Sequence, residues 1–143
     1  MRSDPPERTR AVLRYALAAI YMPFGLLHMR SPDAFLPIMP PQVPHPHAVV
    51  VFTGACEVAG GLGLLVPRTQ KAAGVALALY AACVFPANIY HALAHRHAPP
   101  LPDSWWYHGP RLLFQPVFVW WALFAGGLID WPWRRTPAQR SDG

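Results

Sequence analysis

The stretch AVVVFTGACEVAGGLGLLV, residues 48–66, decides the architecture of this chain. Its one charged residue is Glu57, and around a helix its apolar and small residues would cover every face. A helix apolar on all sides belongs in a large protein core or in a lipid bilayer. At 1.5 Å per residue this run measures about 28 Å, close to the hydrocarbon thickness of a membrane. Three further runs repeat the pattern at Ala11–Met29, Ala72–Leu93 and Pro110–Ile129. The reading is all-α: an integral membrane four-helix bundle with proline-rich outer loops, in contact with lipid.

Charge distribution orients the bundle. The chain carries a formal net charge of +5, yet only 13% of its residues are charged, about half the share of a soluble domain. With four spans, the N-terminus, the second loop and the C-terminus share one side. That side holds Arg2, Arg8, Arg10, Arg14, Arg68, Lys71, Arg134, Arg135 and Arg140, against Arg30, Arg96 and Arg111 on the other. Positive residues stay cytoplasmic, so both termini are expected inside. Nucleic acid is not needed to explain the basic balance. All seven histidines fall on the outer side or in the outer half of a span: His28, His45, His47, His91, His95, His97 and His108. Tolerance of uncharged histidine where arginine would oppose insertion explains this as well as a functional role does.

The domain is expected over 11–133, with tails at 1–10 and 134–143. No small-x-small cleavage site follows the first apolar run before Pro32, so a cleaved leader is not expected. Pro23 is expected to kink the first helix, and Gly25 to let a neighbour approach closely. Prolines 32, 37, 40, 41, 44 and 46 make Ser31–His47 a stiff strap, mostly extended, with one short helical turn at Asp33–Leu36. Its apolar Phe35, Leu36, Ile38 and Met39 predict that it folds back over the outer mouth of the bundle. The basic turn Val66–Lys71 predicts an antiparallel hairpin of the second and third helices. Trp105, Trp106 and Tyr107, in the loop Ala94–Gly109, suit the headgroup region. Cys56 and Cys83 form no Cys-x-x-Cys pair and read as buried apolar fillers. The small residues of Gly54–Gly63 and of the third helix could support a homo-oligomer.

Polar side chains inside the spans are costly in lipid and mark the candidate site. They are His28, Glu57, Asn88, His91, Arg111 and Gln115. Helix direction brings all six toward the outer half, and Thr53 with Glu57, Asn88 with His91, and Arg111 with Gln115 each share a helix face. A pocket open to the outer side and roofed by the strap is expected. Within it Glu57 needs a cation or a donor. Arg111 is the first expected partner, with His28 or His91 as the alternative. Three uses stay open: a clasp that only fixes helix order; a transition-metal site from His28, Glu57 and His91, with Asn88 and Gln115 behind them; or a site for quinone or another small amphipathic ligand. The pairs His45-x-His47 and His91-x-x-x-His95-x-His97 could capture metal at the surface.

An ordered series of motifs then resembles a known family. Gly25-Leu-Leu-His28, Ser31-Pro32-Asp33-Ala-Phe35, Thr53-Gly54-Ala-Cys-Glu57, Gly61-Leu-Gly63-Leu-Leu-Val-Pro67 and Phe85-Pro86-Ala87-Asn88-Ile89, followed by Arg111 and Gln115, resemble the DoxX family over about Tyr21–Leu123. The resemblance implies a small four-helix protein of the bacterial inner membrane. It also implies an accessory subunit of a redox system that binds quinone or a small sulfur compound beside a redox-enzyme partner. On that reading Glu57 and His91 are the catalytic candidates that handle protons. Arg111 holds an anionic group, and Asn88 and Gln115 orient the ligand. Whether the chain is itself an enzyme is left open. A non-enzymatic assembly or scaffold protein is the alternative, since relatives of this type include assembly factors.

Overall fold

A computed structural model describes residues 5–94, 102 and 104–132. Its described residues form α1 (Pro5–Arg30), a 3-10 helix (Pro32–Ile38), α2 (Pro46–Leu65), α3 (Gln70–Leu93), α4 (Trp105–Leu113) and α5 (Gln115–Ala125). No strand occurs among them. Three helices are long and apolar enough to cross a membrane, over Glu7–Arg30, Pro46–Leu65 and Gln70–Leu93. The expected tails 134–143 and the histidines His95 and His97 lie outside the described residues.

The fourth apolar run is not one helix over Pro110–Ile129. It is divided between α4 and α5 at Phe114, whose ψ of −12° departs from the helical value. Pro116 is the cause: it has no amide to donate to Leu112 O, while the Phe114 amide still closes the last turn of α4 on Pro110 O at 2.8 Å. Phe118 N to Phe114 O, at 2.9 Å, restarts the ladder. α5 then has only 11 residues. Its end is a Schellman motif, with Gly127 at φ 77° and amide bonds from Gly127 to Phe124 O and from Leu128 to Leu123 O.

α1 starts six residues earlier than Ala11, at Pro5, because proline suits a first helical position and Glu7 favours the positive end of the dipole. Arg10, expected in a polar tail, is buried. Its Nε donates to Phe124 O (3.0 Å), and its guanidinium pairs with Glu7 and Asp130. Arg14 Nε donates to Ala125 O (3.0 Å). Two arginines of α1 thus bind carbonyls in the C-terminal turn of α5, Arg10 sharing Phe124 O with the Gly127 amide. Trp121 Nε1 returns a bond to Leu13 O at 2.8 Å.

α2 and α3 form the expected hairpin, closed by Thr69 Oγ1 donating to Gly63 O (2.8 Å). Near this turn, Leu17, Tyr21, Leu64, Ala73, Leu77, Ala78, Ala122 and Ala125 make the apolar core. At the opposite end of the molecule, the strap end, α1 and α2 cross almost backbone to backbone. A Cβ on Gly25 would sit 2.5 Å from Gly54 O, and one on Gly54 would sit 2.6 Å from Gly25 O. Gly60, Gly61 and Gly63 abut Leu77, Met22 and Ala73, and Gly74 faces Gly126. Gly54, Gly60, Gly61, Gly63 and Gly74, part of the small-residue surface considered for self-association, therefore pack within the chain.

The strap is more helical than its prolines suggest. Proline φ fits a 3-10 helix as well as an extended chain, so the single turn expected at Asp33–Leu36 lengthens to Pro32–Ile38. It does fold back: the Phe35 ring lies 4.0 Å from that of His28.

Gly54→Ala is expected to destabilise the fold by about 1–3 kcal/mol through overpacking, despite alanine's better helix propensity. Gly109→Ala, where an added Cβ meets nothing within 4 Å, is expected to be neutral or slightly stabilising. Reversible unfolding in bicelles, with both variants side by side, checks the pair.

Candidate functional site

The glycine crossing sets the first half of the site. His28 stands three residues after Gly25, and Glu57 three residues after Gly54. Each side chain is seated over the other helix's glycine: the added Cβ of Gly25 would lie 2.8 Å from Glu57 Cβ, and that of Gly54 2.7 Å from His28 Cβ. The two functional groups therefore meet. His28 Nδ1 lies 2.7 Å from Glu57 Oε2, and Tyr80 of α3 donates its hydroxyl to Glu57 Oε1 at 2.7 Å. A carboxylate only accepts, so the His28 proton sits on Nδ1. Tyr80 is in turn packed edge-on against Tyr21, 5.8 Å between ring centres.

The second half is built by α3, α4 and α5. Arg111 donates from one nitrogen to His91 Nδ1 (2.9 Å) and from the other to Asn88 Oδ1 (2.6 Å). Asn88 Nδ2 donates to Gln115 Oε1 (3.0 Å), and Gln115 Nε2 to Ala81 O. Arginine has no acceptor, so His91 Nδ1 accepts and the ring proton falls on Nε2. The guanidinium also lies over the Tyr107 ring, 5.6 Å from its centre. His91 itself is fully buried and stacks edge-on with the buried His108, 4.6 Å apart.

Both halves border one cavity of about 740 Å³. Its polar lining includes His28, Glu57, Tyr80, Asn88, Arg111 and Gln115; much of the rest is apolar. Phe35, Ile38, Met39, Pro40 and Val43 of the strap cover one end.

All six side chains expected from sequence are thus brought into two neighbouring clusters, but with different partners. Glu57 does not pair with Arg111. It takes the alternative, His28, because the glycine crossing puts that ring against it, while Arg111 is held at the strap end of α3. His91 serves as Arg111's acceptor and does not line the cavity. For the same reason His28, Glu57 and His91 do not assemble a metal site, and no group of three possible ligands occurs among the described residues. His47 is exposed, 3.8 Å from Asp33. The cysteines are not buried: Cys56 is half-buried, Cys83 is exposed, and both line the cavity.

Tyr80 and Tyr21 are not among the six side chains expected from the sequence. Their signal was available, since tyrosine in mid-span, away from the interfacial aromatic belts, needs a hydroxyl partner. His108, expected in a loop, lies inside α4.

Residues 17–126 match a family model described as Domain of unknown function (DUF8561). The chain belongs to the DUF8561 family. No curated protein and no solved structure matches it. Every side chain of the two clusters lies within the DUF8561 segment, whereas Arg10, Arg14 and Asp130 of the arginine clamp lie outside it.

A double-mutant cycle tests the first cluster. Glu57→Gln with Tyr80→Phe is expected to show a coupling of about 1–3 kcal/mol, as for a hydrogen bond to a charged group. Glu57→Gln with Arg111→Gln is expected to be additive within about 0.5 kcal/mol. Coupling in the second cycle and none in the first would contradict the assigned pairing.

Proposed function

We propose that this protein is a DoxX-like integral membrane four-helix bundle that holds a small, electron-rich ligand in the cavity between its two polar clusters. α4 and α5 together would make the fourth crossing, and the charge asymmetry supports cytoplasmic termini in a bacterial inner membrane. The ordered motifs shared with the DoxX family support an accessory role in a membrane redox system, with quinone or a small sulfur compound as ligand.

One observation carries the reading. Arg111 lines the cavity, yet the side chains that accept its hydrogen bonds, His91 and Asn88, are neutral, and no carboxylate pairs with it among the described residues. A guanidinium at that depth is expensive unless an anion or a strong acceptor answers it. Glu57 does not answer it: its hydrogen bonds run to His28 and Tyr80. A bound carbonyl or anionic group beside Arg111 supplies the missing partner. Asn88 and Gln115 would fix its orientation, and the His28–Glu57 pair offers the cavity a group able to exchange a proton.

A non-enzymatic scaffold is the second reading, favoured by the mutual satisfaction of His28, Glu57 and Tyr80. Arg111→Gln separates the two. The ligand reading expects the variant to keep its melting temperature within a few degrees while losing about tenfold or more in affinity, the value of one charge-assisted hydrogen bond. The probes are a fully substituted benzoquinone with a decyl tail and, separately, thiosulfate. Mass spectrometry of molecules carried through purification should show a species enriched in the wild type over R111Q. A large stability loss with no binding by the wild type supports the scaffold.

A further inference from the structure

We infer that the cavity opens sideways into the bilayer between α2 and α3, so that its ligand is a membrane-dissolved amphiphile with an anionic or carbonyl head. The inference rests on the ligand-binding reading above and chooses between the two ligand classes it names.

Three sides of the cavity are closed by features already described. The strap covers the outer end with Phe35, Ile38 and Met39. The Gly25–Gly54 crossing seals α1 against α2. Toward the hairpin, Gly60 against Leu77 and Gly63 against Ala73 bring α2 and α3 together. Above that contact the same two helices line the cavity from separate sides. α2 contributes Val49, Phe52, Thr53 and Cys56, and α3 contributes a stripe through Ala76, Leu79, Cys83 and Ala87.

Exposure locates the mouth. Residues that line the cavity and also keep much of their surface accessible mark its open side. Phe52 (68% exposed), Leu79 (62%), Ala76, Cys83 and Pro86 all do so, and all belong to α2 or α3. From the other helices only Phe24 of α1 shares both properties. Leu79 stands nine residues from the start of α3, about 14 Å along the helix axis, and Phe52 six residues, about 9 Å, from the start of α2. The gap therefore lies at the depth of acyl chains, away from the headgroups, and its rim carries no charged side chain. A water-soluble anion would have to leave water to reach it, which costs several kcal/mol or more. A tailed molecule already in the bilayer would slide its head inward to Arg111 and leave its tail between Phe52 and Leu79.

The test uses the full chain in lipid nanodiscs, with Cys56→Ala so that Cys83 is the one thiol. N-cyclohexylmaleimide, which partitions into lipid, should modify Cys83, and a sulfonate-bearing methanethiosulfonate should not. The decyl benzoquinone at about nine times its Kd should slow that modification about tenfold, the factor 1 + [L]/Kd, while thiosulfate should leave it unchanged. Ala76→Trp, placing bulk on the rim, should slow quinone association, followed by fluorescence quenching, with the melting temperature held. Modification by the charged reagent at a comparable rate, or protection by thiosulfate alone, overturns the sideways opening. Unchanged association in A76W overturns the route and leaves the ligand reading intact. Lipid-only labelling without quinone binding overturns the occupant together with that reading.

Discussion

Two glycines, Gly25 and Gly54, carry the constraint on which the rest of this structure depends. With no side chain on either, α1 and α2 meet backbone to backbone. In lipid such contact matters more than in water, because apolar side chains gain little by leaving one hydrocarbon for another and dispersion between close surfaces must hold helices together. The crossing also has a chemical result. It sets His28 and Glu57, one turn on from each glycine, against each other across the interface. Packing and site are thus one feature. A Cβ at either glycine would push on the opposing carbonyl and on the Cβ of Glu57 or His28.

From that crossing the molecule divides into two unlike halves. Toward the α2–α3 hairpin the interior is apolar and tight, and the arginines of α1 lock it by taking up the last carbonyls of α5. Toward the strap the interior is polar and hollow, and Glu57, Asn88 and Gln115 are each hydrogen-bonded by a side chain of another helix. This distribution follows from the cost of unanswered donors and acceptors in a medium without water. At the strap end the Tyr80–Glu57 hydrogen bond links α3 to α2, in place of the close glycine packing near the turn.

The proline-rich segments behave according to their neighbours. Pro116 interrupts the fourth apolar run because it has no amide to give the Leu112 carbonyl one turn back. Pro32 and Pro37 permit a 3-10 helix because their fixed φ suits it and because Phe35 gains a ring contact with His28. Pro23 and Pro86 lie within helices that continue past them. One residue type thus gives three local outcomes, each decided by which partners the freed backbone groups can reach.

The sequence by itself determined the helical class, the three long apolar helices, the hairpin at Val66–Lys71, the strap folded over the bundle, and the six polar side chains that converge at one end. Those properties depend on composition, on helical period and on the price of polar groups in lipid, all of which are local. Only the tertiary structure decided who meets whom. Glu57 went to His28 and Tyr80, Arg111 to His91 and Asn88, and Arg10 from an expected tail into the core. Partner choice depends on helix rotation and crossing depth to within a few ångströms, and spacing along one helix carries no such information about another. The Gly25–Gly54 contact is where that missing information resides, since it fixes the rotation of α1 against α2 and with it the arrangement of the site.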